Sequence, residues 1–252
     1  MPPAILITGA AKRIGAAIAR RFAREGWHIV IHYGEHSDDA QALAASLPSA
    51  EGLHCDLANG AAAAAMVEQL AARLGDWRVL VNCAAVFRPD NASALDPAIF
   101  TEAMAVNAAT PIRMAQAFLA HARSDTDRRV INLLDQKIAN LNPDFFSYTL
   151  SKAALHTATT MLAMAHSGTV SRIYGLAPGL ALPSHDQSQA EFDVSGRMNL
   201  LDRLNSPAEI ADAAWFLAHG QLASGETLFV DSGQHLLPQN RDVMFAIRES
   251  SI

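Results

Sequence analysis

Seven short apolar runs, separated by longer alanine-rich stretches of helical character, leave few architectures open to this chain. The runs are Ala4–Thr8, His28–Tyr33, Gly52–Asp56, Val79–Asn82, Val130–Leu134, Ser171–Ala177 and Thr227–Val230. Strands this short and apolar are buried on both faces, and helices of the intervening length carry the crossover that parallel neighbours require. The expectation is a doubly wound α/β fold around a seven-stranded parallel sheet. A length of 252 residues suits one such domain, and neither linker, internal repeat nor low-complexity tract divides it, so residues 1–252 form a single unit.

Half of the residues are hydrophobic and 17% are charged, which suits a well-buried interior. The net charge of -6 argues against nucleic acid or an anionic membrane surface and leaves a small molecule as the natural partner. Cys55 and Cys83 make neither a disulfide framework nor a metal-binding pair. No basic or long apolar leader precedes Ala4, and no run is long enough to span a bilayer, so a reducing, cytoplasmic setting is expected. No metal is expected: His32 and His36 are four apart but straddle a strand end and a loop.

Capping chemistry marks several helix ends. Ser206-Pro207-Ala208-Glu209 supplies an N-cap, a first-turn proline and a capping box, and Gly220 closes that helix. Gly26 ends a helix starting near Arg13, and Ala61–Ala65 begin another. Residues 179–205 lack clear periodicity and are long for a simple connection, which suggests a mobile flap over a substrate or an ordered surface excursion.

The first strand runs into Thr8-Gly9-Ala10-Ala11-Lys12-Arg13-Ile14-Gly15 and then a helix. Glycine lets backbone approach a pyrophosphate closely, and free N–H groups at a helix start favour negative charge. The alternative is a turn that merely needs glycine for positive φ. Tyr33 stands at the end of the second strand, where NAD-preferring enzymes usually carry a ribose-binding acid. Arg13, His36 and Ser37 would instead receive a 2′-phosphate, with Glu35 a dissenting charge, so NADP(H) is the expected cofactor. Asp56 would meet the adenine or cap the next helix.

Tyr148 and Lys152 are four apart in a helical stretch, which puts them on one face. With three tyrosines and three lysines in the chain, chance gives such a pair roughly 4% of the time. A nearby ammonium stabilises phenolate and should lower the tyrosine pKa, making Tyr148 a proton donor for reduction.

Thr8-Gly9-x5-Gly15, Asn82-Cys83-Ala84-Ala85, a helical Asn107, Tyr148-x3-Lys152 and Pro178-Gly179 together resemble the short-chain dehydrogenase/reductase family in order and spacing, over nearly the whole chain. The resemblance implies a Rossmann-like fold in which Asn107 braces a water and proton path to Lys152 and Lys152 holds the nicotinamide ribose. It also puts Gly9, Ile14, Gly15, Leu57, Asn82, Ala84, Pro178 and Gly179 beside the cofactor, and suggests a homotetramer. Cys83 and Ala85 depart from the usual Asn-Asn-Ala-Gly motif.

Thirteen residues before the tyrosine the family has serine, and this chain has Asp135. An ionised carboxylate accepts hydrogen bonds only, so it would repel a developing alkoxide. The Asp135, Tyr148 and Lys152 set resembles the pteridine reductases, as do Lys12-Arg13, His32-Tyr33, Phe87 and Pro89. That resemblance implies an aromatic Phe87 stacked on a pterin, Arg13 reaching both pterin and cofactor phosphate, and Leu180 near the substrate. Asp135 as a strand-end cap and Phe87 as a core aromatic are the plainer alternatives. The leading expectation is NADPH-dependent reduction of a pterin C=N, with proton donation from Tyr148 and Asp135. A carbonyl reductase or alcohol dehydrogenase comes second, and a non-catalytic NADP sensor third.

Overall fold

The computed structural model describes residues 2–124, 126–184 and 186–249. The chain runs β1 (Ala4–Ile7), α1 (Arg13–Ala23), β2 (His28–Tyr33), α2 (Ser37–Ser46), β3 (Ala50–His54), α3 (Gly60–Arg73) and β4 (Trp77–Asn82). It continues through α4 (Pro97–Met104), a π-helical turn (Ala105–Ala109), α5 (Thr110–His121), β5 (Arg129–Leu133), α6 (Phe146–Ala165) and β6 (Arg172–Pro178). The last elements are α7 (Gln189–Ser195), α8 (Pro207–His219), β7 (Thr227–Val230) and α9 (Val243–Glu249). All strand pairs are parallel, in the order β3-β2-β1-β4-β5-β6-β7.

Alternation along each strand builds two cores. Ile5 and Ile7 of β1 point toward one layer with Ile29, Ile31, Val79 and Val81, where Ile18 and Phe22 of α1 and Ile210 and Leu217 of α8 meet them. Ala4 and Leu6 point the other way, with Val30, Leu80 and Val130, toward Val67 and Leu70 of α3 and Phe118 of α5. Full burial of each large apolar side chain contributes about 1.5–3 kcal/mol, so both faces stabilise the sheet. The chain winds outward from β1 in both directions, and the reversal of strand order between β1 and β4 opens a crevice at their carboxyl ends.

The strands fall where the apolar runs lie, with shifted ends. β3 begins two residues early and stops at His54, so Asp56 lies in the following loop. This strand is the sheet edge, where Ala50 pairs with Ile29, and half-exposed residues such as Glu51 extend it through backbone bonds alone. The described residues of 179–205 include regular structure. They contain α7, started by a Ser188–Glu191 capping box and clamped by Arg248, whose Nε lies 2.7 Å from Glu191 Oε1. Among the described residues no helix is long and apolar enough to cross a membrane.

Candidate active site

The turn after β1 is shaped by two glycines. Gly9 has φ +64°, and a side chain on Gly15 would meet Gly9 O at 2.6 Å, so the loop closes against α1 only with glycine at both positions. Thr8 Oγ1 accepts the N–H groups of Cys83 and Ala84, which ties this loop to the turn after β4. His32, buried in β2, accepts the Gly9 N–H on Nδ1 at 3.2 Å, and its Nε2–H donates to Cys55 O at 2.9 Å. Burial pushes this imidazole down to about 4, so it is neutral and clamps the loop. Its role there went unread in the sequence, because nothing in the spacing joins residue 32 to residue 9. Lys12, the N-cap residue of α1, has no side-chain cap of its own, which leaves the first N–H groups of that helix open to an anion.

Around the end of β2 the expectations divide. Tyr33 is half-buried beside His54, with His36 exposed and Ser37 opening α2. Arg13 does not join them: both Nη atoms donate to Pro183 O at 3.1 Å, beside Leu182 and Ser184 at the cleft. Lys12 takes its place, with Nζ 2.8 Å from Asp39 in the first turn of α2. Asp56 accepts the Ala58 N–H and so caps its own turn, while Asn59 caps α3. Leu57 is buried, and its carbonyl holds Thr110. Asn82 turns its side chain inward, donating to Asn132 Oδ1 at 2.8 Å, so it braces β4 against β5.

A cleft of about 470 Å³ lies at the carboxyl ends of β4, β5 and β6. Asp135, Tyr148, Lys152, Phe87, Arg13, Ile14, Pro178, Gly179 and Leu180 all line it, so most of the expected substrate and nicotinamide residues converge. Asp90 sets the start of α6 from a distance: its carboxylate accepts the Ser147 N–H at 3.0 Å and the Ser147 hydroxyl at 2.5 Å. Phe145 just before it has φ +54°, a left-handed conformation that costs a non-glycine residue about 1–2 kcal/mol. That geometry brings Tyr148 to Asp135.

The Tyr148 hydroxyl donates to Asp135 Oδ2 at 2.8 Å, and the Lys137 backbone N–H donates to Asp135 Oδ1 at 2.9 Å. Burial raises the Asp135 carboxyl above its ordinary value. Burial, with Asp135 beside the phenol, also holds Tyr148 well above 10. The sequence-based expectation of a lowered tyrosine pKa is therefore reversed. Lys152 is 5.6 Å from the ring centroid and donates instead to Leu133 O at 2.6 Å, while the phenol meets a carboxylate. Burial pushes Lys152 down to about 8, still an ammonium at neutral pH. Cys83, half-buried against the same cleft, is pushed up to about 11 by desolvation and is a poor nucleophile.

Phe87 stacks on Phe145 with centroids 4.1 Å apart and meets Tyr148 edge-on at 4.6 Å. It is thus both a packed aromatic and a wall of the cleft. Asn107 sits at the middle of the π-turn, fully buried. Its Nδ2 donates to Val86 O and Ser151 Oγ, and its Oδ1 accepts the Val86 N–H. The side chain therefore locks the Val86–Phe87 segment onto α6.

The sequence reading also missed Lys137, Gln234, Asp242 and Val243, all of which line the cleft. The last three come from the segment after β7, which lies far from every motif in the sequence. Among the described residues no cluster of three or more His, Cys, Asp or Glu residues could hold a metal ion.

Residues 9–235 match the family model described as enoyl-(acyl carrier protein) reductase, one of the short-chain dehydrogenase/reductase models. The chain belongs to the short-chain dehydrogenase/reductase family and is an oxidoreductase. A solved structure of FolM alternative dihydrofolate reductase 1 from Brucella canis, complexed with NADP, superposes with a TM-score of 0.88. Its sequence is 34% identical, with 96% of each chain covered. Pteridine reductase 1 of Leishmania tarentolae is 28% identical over 93% of this chain and 96% of its own. D-threitol dehydrogenase of Mycolicibacterium smegmatis is 30% identical over 90% of this chain and 91% of its own.

Proposed function

We propose that this chain reduces a ring C=N bond of a pterin-like substrate with NADPH, Asp135 and Tyr148 supplying the proton. The observation that carries the reading is the 2.8 Å bond between the Tyr148 hydroxyl and Asp135 in a cleft walled by Phe87. A serine in place of Asp135 would donate to a ketone oxygen, whereas a carboxylate there opposes an alkoxide and suits protonation of a ring nitrogen. The pteridine reductase and the alternative dihydrofolate reductase among the relatives support the same choice.

The residues present fit a dinucleotide. The turn after β1 admits no side chain at Gly9 or Gly15, the N–H groups at the start of α1 are open, and no acidic side chain occupies position 33. NADP(H) is the cofactor we assign, with Lys12, His36 and Ser37 at the 2′-phosphate and Lys152, Pro178 and Gly179 near the nicotinamide. When bound, it supplies the hydride.

The residues of the chain do the rest. Phe87 offers a flat apolar surface for a ring, and Arg13 reaches over the opening from α1. Burial raises the Asp135 carboxyl, which favours its protonated form, and Tyr148 orients that carboxyl and passes the proton on. The Lys152 ammonium stabilises the negative charge left on the pair once the proton is given. We also infer that the protein works in the cytoplasm as a homotetramer joined through its helices, a reading supported by Met161 and Met164, which lie 64% and 70% exposed on α6.

The second reading is a carbonyl reductase, favoured by relatives such as the threitol dehydrogenase. Steady-state turnover of 7,8-dihydrobiopterin against a ketone panel separates the two. Pterin turnover well above ketone turnover is the expected result, and robust ketone reduction without pterin turnover would overturn the proposal.

A further inference from the structure

The loop that holds Asp135 contains a second, hidden charge. Lys137 is 2% exposed, and its Nζ donates to Asp242 Oδ2 at 2.8 Å and to Asn142 Oδ1 at 2.9 Å. Asp242 Oδ1 accepts the Met244 N–H, so the carboxylate also begins the turn into α9. Lys137 and Asp242 both line the cleft that holds Tyr148 and Asp135. Asp242 lies past residue 235, where the family match ends, so this partner is supplied by a part of the chain outside the shared motif set.

We infer that Lys137 and Asp242 act as a matched pair of positioning residues: Asp242 cancels the Lys137 ammonium so that Asp135 can hold a proton at working pH. This rests on the reading of Asp135 as proton donor. Lys137 holds Asp135 in two separable ways. Its backbone N–H fixes Oδ1 whatever the side chain, while its ammonium acts through charge alone. An unpaired buried cation two residues away would stabilise the carboxylate and strip Asp135 of its proton. The charged or titratable groups around Asp135 are Tyr148 and Lys152 from α6, Cys83 after β4, Arg13 from α1, Lys137 from its own loop and Asp242 from the C-terminal segment. Tyr148 feels both carboxylates and Asp135 feels both lysines, so the four charges are electrically coupled.

The test is the pH profile of kcat/KM for the full-length enzyme with NADPH and 7,8-dihydrobiopterin, in wild type, D135N, K137M, D242N and the K137M/D242N double variant. The limb to follow is the fall in activity with rising pH that D135N removes. D242N should move it about one pH unit lower and K137M about one unit higher, within the range a neighbouring charge produces. The double variant should restore it. NADPH affinity should stay unchanged in all of them.

Single variants that move the limb in the same direction, or leave it in place, overturn the inference. Breaking a buried pair can unfold a protein. If D242N does not fold, the charge-conserving K137R and D242E must keep the limb while K137M raises it, and a limb that follows side-chain length instead overturns the pairing. D135N separates the two claims. If D135N keeps the limb, Asp135 is not the donor; if D135N removes it and the pair variants do not move it, only the role of the pair falls. Should wild type turn over ketones and no pterin, the same profiles are read on a ketone, and the pterin reading alone is lost.

Discussion

The Tyr148 hydroxyl donates to Asp135 Oδ2 at 2.8 Å across a 13-residue gap that spans a strand end and the start of a helix. Three devices hold that relationship. The Lys137 N–H fixes the other carboxylate oxygen, Asp90 anchors Ser147 one residue before the tyrosine, and Phe145 adopts a left-handed turn ahead of the helix. The carboxyl and burial keep the phenol protonated, while burial raises the carboxyl against the opposing pull of the phenol's hydrogen bond.

Replacing Asp135 with serine should exchange one chemistry for another. A hydroxyl at that position donates to a ketone oxygen and carries no charge to repel an alkoxide. D135S should lose roughly 100-fold or more in pterin turnover, in the range of one general-acid contribution, and gain ketone turnover. Parallel steady-state assays on the two substrate types check it, and unchanged pterin activity would refute it.

Phe87 has one ring face against Phe145 and borders the cleft. F87L keeps apolar bulk and loses the flat surface, so the pterin KM should rise about tenfold, equivalent to about 1.4 kcal/mol of ring stacking, with kcat changed far less. Initial rates over a range of pterin concentrations measure the split.

Gly15 offers a stricter test of the cofactor loop. A methyl group there would lie 2.6 Å from Gly9 O and 2.8 Å from Ala10 Cα, both backbone atoms that cannot swing aside. G15A should therefore lose NADPH binding, read by quenching of protein fluorescence, and should also unfold at lower temperature. Normal affinity in G15A would mean that the loop is looser than its packing implies.

His32 makes stability depend on pH. Its folded value of about 4 lies below the ordinary 6.5, so between those limits the unfolded chain binds more protons than the folded one. The contribution is present above about pH 6.5 and is lost as the pH falls toward 4, amounting to roughly 3 kcal/mol. Urea unfolding of wild type and H32N from pH 4 to 7 should show a steeper loss for wild type. Parallel curves would contradict the neutral clamp.

How much of this the sequence reveals depends on the range of the interactions. β2 and β7 lie where their apolar runs lie, since local hydrophobicity and turn residues set both ends. The N-cap at Ser206 and the stop at Gly26 are equally local. β3 begins two residues earlier than its apolar run because an edge strand can be extended by pairing with β2, which Glu51 tolerates. The meeting of Asp135, Tyr148 and Lys152 at one cleft is legible because they follow a spaced motif. The direction of the Tyr148 shift is not, because it depends on which neighbour the hydroxyl reaches. The Lys137–Asp242 pair joins residues 105 apart, and no pattern along the chain links them.

The most direct measurement is single-turnover oxidation of NADPH by wild type and D135N at saturating 7,8-dihydrobiopterin, with binding of both ligands measured beside it. The carboxamide that D135N introduces keeps one acceptor oxygen, for either the Lys137 N–H or the Tyr148 hydroxyl, and has no carboxyl proton to give. The account predicts intact binding and a hydride-transfer rate at least roughly 100-fold lower. A D135N variant that transfers hydride to the pterin at the wild-type rate would contradict it.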